Sequence, residues 1–327
     1  MLEFEFKEQL RSVAQDILKE GDFHESLAPA ISKYHQLLFE MLEIDPDDEK
    51  EKEHIETEKG NAIGTWWAAT CVKEVFRTQR FAKALAQAIR DIQCNEKRTV
   101  HVLYAGTGPF AALALPIMLT FQPTEVQFTL LEINQNSYAK LQDLMKRLDL
   151  LPYVKESKLV DATSYVLKNY DVDIVLSETM NLALFKEPQV SVMMNFERQL
   201  GNKALYLPNQ IKVALCKQGR KDLEELKTLI KFDQLGMAEL NKRTNANQEL
   251  FEKIALEVEL AQGERLCYHT EITIYKGFKL GLNDSSLTLL KSVKPNMQAG
   301  RYQLSLQYQV SNNPGFVVES KNIDVQN

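Results

Sequence analysis

Apolar positions in residues 1–95 recur every three or four places, through Leu10-Val13-Ile17 and Tyr34-Leu37-Leu38-Met41, and this period predicts helices. A second helical run is predicted over Thr65 to Ile92. It carries Trp66, Trp67, Val72, Val75, Phe76, Phe81 and Leu85 on overlapping faces, which implies burial on more than one side. Between the two, Glu43 to Lys59 is dominated by Asp, Glu and Lys and broken by Pro46, the pattern of an exposed, solvated connection.

From Val100 onward short apolar runs alternate with helical patterns. Strands are predicted over Val100–Tyr104, Glu125–Leu131, Val154–Val160 and Ile174–Leu176, with helices over Pro109–Leu119 and Gln135–Leu148. That order, with strands apolar enough to be buried, predicts a parallel sheet. Beyond Pro208 the pattern becomes strand-rich, over Ile211–Leu215, Ile254–Leu260, Thr270–Phe278 and Arg301–Gln309. The later strands are separated by turns such as Asn283-Asp284-Ser285 and Asn312-Asn313-Pro314-Gly315, and a charged helix is predicted over Lys221–Ile230. Three regions result: a helical lead (1–95), an α/β core (96–207) and a β-rich tail (208–327) that could be a barrel or a sandwich.

Composition narrows the picture only a little. The 327 residues are 44% hydrophobic and 26% charged, ordinary for a soluble globular chain. A net charge of -6 offers no broad basic face to phosphates, so a nucleic-acid partner is not expected, whereas a cationic substrate is compatible. Cys71, Cys94, Cys216 and Cys267 are scattered without metal-type or disulfide spacing, which suits a reducing cytoplasm. The start, Met-Leu-Glu-Phe-Glu-Phe-Lys-Glu, has no apolar run of the signal-peptide kind. The longest apolar run, near Phe110 to Leu119, is too short to span a bilayer and contains Pro116, so no membrane association is expected.

Two places carry candidate chemistry. The run Ile174-Val175-Leu176 ends abruptly in Glu178, and a second carboxylate, Glu187, follows nine residues later. A parallel strand ending there puts Glu178 at the sheet's carboxyl edge, where ligands bind in open α/β folds. Two acids in one crevice suit a planar cation such as guanidinium, which donates hydrogen bonds in a fixed fork. A surface loop leading into a helix, with Glu187 merely solvated, fits the same residues. The other place is Ala105-Gly106-Thr107-Gly108-Pro109, after the first strand. Its glycines permit a tight turn where a ligand can approach backbone N–H groups, although a purely structural turn would use them too. The next strand ends in Glu132, 26 residues after Gly106, able to accept both ribose hydroxyls. Asp161, followed by Ala162, could meet an adenine edge after the third strand. Together these make a nucleoside-cofactor site without separating S-adenosylmethionine from a dinucleotide. His24, His35, His54 and His101 show no metal-ligand spacing, and no metal is expected.

Several motifs in one order resemble class I S-adenosylmethionine methyltransferases, and within them the arginine methyltransferases. Ser177-Glu178-Thr179-Met180 with Glu187 resembles that family's double-Glu loop, with the same separation of the glutamates. Leu207-Pro208-Asn209 is similar to the junction at which the family's β-barrel begins. Lys73-Glu74-Val75-Phe76-Arg77-Thr78-Gln79-Arg80-Phe81 resembles the helix that folds over the cofactor, and the resemblance implies that Arg77 pairs with its methionine carboxylate. Gly106, Thr107, Gly108 and Glu132 fall where the family keeps its glycine loop and ribose acid. The resemblance covers roughly residues 60 to 215. It implies a Rossmann-like methyltransferase core, S-adenosylmethionine as cofactor, and Glu178 and Glu187 as catalytic groups gripping a guanidinium.

The departures concern contacts around the cofactor's methionine amino group and the acceptor. Val102 stands for the family's acid before the glycine loop, Tyr104 for its first glycine, and Thr179 for the loop tryptophan. The family's Thr-His-Trp segment is absent; the nearest candidate is Cys267-Tyr268-His269-Thr270, in which His269 is either a catalytic proton acceptor or a structural histidine. Arg77 could likewise be a surface residue paired with Glu74. The 82-residue gap from Glu187 to His269 looks short, as though a dimerisation insertion were missing, though a homodimer stays possible. A helical lead packed over the crevice would favour free L-arginine over an Arg-containing protein, as in the similar enzymes that supply N-methylarginine to nitrosourea pathways. Methylation of another amine or hydroxyl, and a non-catalytic cofactor-binding protein with an acidic docking loop, remain the alternatives.

Overall fold

The computed structural model describes residues 2–21, 24–246, 250–294 and 297–324; Met1 and the side chain of His24, read above from sequence, lie outside them. The lead comprises α1 (Leu2–Leu18), α2 (His24–Leu42), the short α3 (Glu49–Lys52), a hairpin of β1 (Ile55–Thr57) and β2 (Gly60–Ala62), then α4 (Thr65–Thr70) and α5 (Val75–Asn95). The α/β unit follows as β3 (Val100–Ala105), α6 (Leu115–Thr120), β4 (Val126–Glu132), α7 (Gln135–Arg147), β5 (Val154–Leu159), β6 (Ile174–Ser177), α8 (Gln189–Leu200) and β7 (Leu205–Leu207). The rest is β8 (Gln210–Gln218), β9 (Leu223–Asp233), α9 (Gln234–Asn245), β10 (Ile254–Leu260), β11 (Arg265–Tyr275), β12 (Phe278–Leu280), β13 (Lys291–Ser292), β14 (Gly300–Gln309) and β15 (Gly315–Asn322).

Five parallel strands run in the order β5-β4-β3-β6-β7. Every residue of the central strand β3 is buried, which is why its sequence is apolar almost throughout rather than alternating. Its one polar member, His101, is satisfied internally, its ring nitrogens 3.0 Å from Asp171 O and 2.9 Å from Thr129 Oγ1. The chain proceeds from β3 outward through β4 and β5, then returns to place β6 on the other side of β3. The switch point of this doubly wound sheet therefore lies between β3 and β6. Ala105 is in register with Ser177 and with Leu131, so Gly106, Glu178 and Glu132 leave the sheet at one edge. The chain thus has a Rossmann-like α/β core with an N-terminal helical region and a C-terminal β-rich unit.

The tail is made of two antiparallel sheets, one ordered β12-β11-β8-β9 with β13 on β11, the other β10-β14-β15. No described helix is long and apolar enough to cross a membrane.

Four local expectations are corrected. Residues 221–230, predicted helical, lie mostly in β9, paired along β8 with two register shifts. The unpaired extra residues are Leu226 and Leu229, so bulges stretched the apolar spacing from two to three and imitated a helical period. Pro109 to Ala114 is turn rather than helix; Ala111 has φ 45°, and α6 starts only at Leu115. The run from Thr65 to Ile92 is two helices joined by a 3-10 turn, Cys71–Lys73, and an extended Glu74. The stretch 43–59 is only partly an exposed connection. Glu51 is buried against Lys140 at 2.8 Å, and β1 and β2 fold back over the sheet's carboxyl edge. The strands β7 and β15 escaped the sequence pattern.

Candidate active site

A cavity of ≈ 600 Å³ opens at that edge, a size ordinary for small-ligand sites. Gly106, Thr107, Gly108, Glu132, Asp161 and Ala162 line one part of it, and Arg77, Glu178 and Glu187 another. Gly106 and Gly108 have φ of 75° and 60°, left-handed values that favour glycine. At Gly106 a side chain is excluded twice over, since a Cβ would overlap Thr179 Cγ2. The small Thr179 is thus matched to the glycine turn across the switch point.

Glu132 is buried, and burial raises its carboxyl above the usual range. Opposing that, its Oε1 accepts from the N–H groups of Ile133 (2.9 Å) and Asn134 (2.8 Å), and its Oε2 from Gly108 N–H (2.7 Å). The acid therefore ties the first and second strand-ends together. Asp161 Oδ1 accepts from Thr163 N–H at 2.8 Å, and Ala162 O from Asn195 Nδ2 at 2.9 Å, fixing the third strand-end.

The break at Glu74 is what turns the first residues of α5 toward the cavity. Arg77 is not a surface residue paired with Glu74; it is buried and ion-paired with Glu178, the two side chains 9% and 6% exposed. A buried guanidinium requires such a partner. Glu178 Oε2 takes that role, while its Oε1 is buried with no hydrogen-bond partner. Burial pushes the Glu178 carboxyl up to about 7, with Arg77 opposing the rise. Glu187 is also pushed up to about 7, by burial and then by the charge of Glu178. An acid whose ionisation is opposed by burial and by a neighbouring carboxylate makes, with that neighbour, a seat for a cation.

The loop between them is held under strain. Ala183, Leu184 and Lys186 have φ of 53°, 62° and 68° without being glycine. Contacts from three directions over-determine it. Ala183 N–H donates to Thr270 Oγ1 at 3.2 Å, Tyr308 Oη to Leu184 O at 2.6 Å, and Asn61 N–H to Lys186 O at 2.7 Å. The last bond docks the β1–β2 hairpin on the loop. Gly60 approaches so closely that a Cβ there would sit 3.0 Å from the backbone of residues 186–188.

Sequence reasoning missed two contributors. Gln189, fully buried, accepts through Oε1 from Thr179 N–H (2.9 Å) and Thr179 Oγ1 (3.1 Å), and donates from Nε2 to Ser177 O (3.1 Å). It brackets Glu178 from both sides. A polar residue at the start of an apolar helix eleven positions after Glu178 was the available signal. His54, from the supposed connection, also lines the cavity and accepts from Gly64 N–H through Nδ1 at 3.0 Å.

His269 does not join this group. It lies in β11 opposite Ala214 and is absent from the cavity lining; its Nε2 is buried without a partner. The alternation of a strand is the reason: Thr270 reaches the strained loop, so its neighbour His269 points to the other face.

No protein-family model matches the sequence, and no curated protein matches it. Solved structures do. A Trypanosoma brucei PRMT1 enzyme-prozyme heterotetrameric complex with AdoHcy matches at TM-score 0.54 and 11% identity, over 77% of this chain and 92% of that one. Arabidopsis thaliana Protein Arginine Methyltransferase 10 matches at 0.51 and 11%, over 76% and 95%. PRMT6 matches at 0.54 and 10%, over 78% and 99%. At these identities the likeness is one of fold: a Rossmann-like parallel sheet with helices, followed by an antiparallel β-rich unit.

Proposed function

We propose that the chain transfers a methyl group from S-adenosylmethionine to a guanidinium nitrogen of a small free acceptor, L-arginine or another free guanidino compound. The observation that carries this reading is the pair Glu178 and Glu187 on one cavity, Glu178 with its side chain 6% exposed and one oxygen unpartnered, Glu187 half-buried. The cofactor fits the residues present. Glu132 and the Gly106–Gly108 turn suit a ribose, Asp161 and Ala162 the purine side, and Arg77 a carboxylate, with guanidinium donors beyond those used on Glu178. When bound, S-adenosylmethionine supplies an electrophilic methyl group on a sulfonium.

The rest is done by the chain. Guanidinium is a poor nucleophile because its lone pairs are delocalised. Glu178 and Glu187, each accepting from different N–H groups, would draw positive charge toward the nitrogens they hold. The remaining nitrogen is then oriented at the methyl group with more electron density. The proton leaves as the new bond forms. With His269 outside the cavity, Glu178 and Glu187 are the carboxylates placed to receive it. A small acceptor is favoured because the hairpin, bonded to Lys186 and contributing Thr57 and Asn61 to the lining, covers the crevice a polypeptide would need.

The test is incubation with methyl-labelled S-adenosylmethionine and, side by side, L-arginine, other free guanidino compounds and an Arg-rich peptide, read by mass spectrometry. Label on a free guanidino compound is expected. Label only on the peptide, on a non-guanidine acceptor, or on nothing would overturn the proposal.

A pH effect follows from the raised acids. Their folded values near 7 lie above the ordinary 4.5, so in the ligand-free protein they add stability below about pH 4.5 that is lost as pH rises through 7. A bound cation reverses this, driving protons off. Methylguanidine affinity should therefore climb by up to about tenfold per pH unit for each acid between roughly pH 5 and 7. Calorimetry at pH 6.5 in two buffers of different ionisation enthalpy should register the released proton; identical heats would contradict it.

A further inference from the structure

We infer that the acceptor is a dication, carrying a guanidinium at one end and an ammonium at the other with no carboxylate, and that Glu74 selects it. The inference rests on the guanidinium clamp proposed above and concerns the acceptor's far end.

Charge on the cavity wall is the first observation. Its lining holds five carboxylates, on Glu74, Glu132, Asp161, Glu178 and Glu187, against one guanidinium, Arg77, and no lysine among the described residues. Arg77 is already ion-paired with Glu178, and in the proposed complex it also answers the cofactor's own carboxylate. A second carboxylate, such as the α-carboxylate of arginine, would enter a wall of like charge with no cation left to meet it. Like charges brought together at a desolvated site are strongly disfavoured.

The second observation is the seat itself. Glu178 is more than nine-tenths buried, lines the cavity, and leaves Oε1 without any hydrogen-bond partner. A buried anionic oxygen in that condition calls for a donor from a ligand.

Glu74 supplies the third. It sits at the extended break between the 3-10 turn and α5, three residues before Arg77, and lines the same cavity. Its Oε2 accepts from Ser286 N–H at 2.9 Å, anchoring it to the turn Ser286–Thr288 of the β-rich unit at the cavity's rim. One N–H leaves most of a carboxylate's acceptor capacity unused. The charge of Glu74 is also felt at Glu178, raising its carboxyl further, so the two acids share one neighbourhood. An ammonium at the end of a short alkyl chain, whose guanidinium is held by Glu178 and Glu187, would be stabilised there. Aminoalkylguanidines, decarboxylated arginine among them, have this chemistry.

The experiment compares kcat/KM for agmatine (a dication), n-butylguanidine (a monocation) and L-arginine (with a carboxylate), using the full chain with S-adenosylmethionine. Agmatine should exceed L-arginine by at least about tenfold, with butylguanidine between. Glu74→Gln keeps an oxygen for Ser286 N–H and removes the charge; the agmatine-to-butylguanidine ratio should then fall by about tenfold. A merely structural role would slow both acceptors alike and leave that ratio unchanged, which would overturn the assignment of Glu74. L-arginine matching or exceeding agmatine would overturn the dication inference while leaving guanidinium methylation standing. Transfer to none of the three would bring down the underlying function as well.

Discussion

Glu178→Gln should lower kcat/KM for guanidinium methylation by about a hundredfold, close to 3 kcal/mol of lost transition-state stabilisation, and Glu187→Gln should do nearly the same. The two variants should part company in stability. Glu178 is the anionic partner of a buried Arg77, and replacing it leaves that guanidinium with an uncharged acceptor. Breaking a buried pair outright costs about 3–5 kcal/mol; glutamine keeps one oxygen for Arg77, so a loss toward the lower end is expected. Glu187 has no such ion-pair partner among the described residues and is itself held up near 7 by burial and then by the charge of Glu178. Neutralising it relieves a like-charge contact, so the ligand-free Glu187→Gln protein should melt no lower than the parent at pH 8. Thermal melts beside steady-state kinetics read both effects. Full turnover in both variants would end the clamp idea, and equal melting losses would end the assigned difference between them.

Gln189→Ala is the second large effect, and it acts at a residue that touches no reacting atom. The amide holds Ser177 and Thr179, the two neighbours of Glu178, through a buried side chain with no exposed surface. Removing it leaves Thr179 N–H and Ser177 O unpaired in the interior and opens a void. Unsatisfied buried groups cost about 1–3 kcal/mol each, so a loss of at least about 3 kcal/mol in stability is expected. Activity should fall by more than about tenfold at a temperature where the variant is still folded, because a displacement of Glu178 by an ångström misaligns the clamp. KM and kcat should both change. A variant that melts lower yet turns over normally would show that Gln189 supports the fold without positioning the site.

The parallel sheet was legible because parallel strands are buried on both faces and read as apolar runs; β3, β4 and β6 are of that kind. Their ends were legible too, since a run such as Ile174-Val175-Leu176-Ser177 stops where the polar Glu178 begins. In β9 the signal inverted, because the bulged Leu226 and Leu229 broke the period of two on which a strand reading depends. The β1–β2 hairpin gave no signal at all. Its strands are three residues each and contain little apolar surface, so nothing in Glu53 to Asn61 announces structure. What shapes it is the docking of Asn61 and Gly60 on residues 186–188, remote in sequence.

The chain's local pattern determined which strands are buried and where acids and glycines terminate them, since burial and strand length are written in consecutive residues. Tertiary structure decided which of those acids meet. It paired Arg77 with Glu178 across a separation of 101 residues, turned His269 away by strand alternation, and folded a polar hairpin over the crevice. Those outcomes depend on pleat, register and the desolvation of charges by distant segments, and none of these is set by neighbours along the chain.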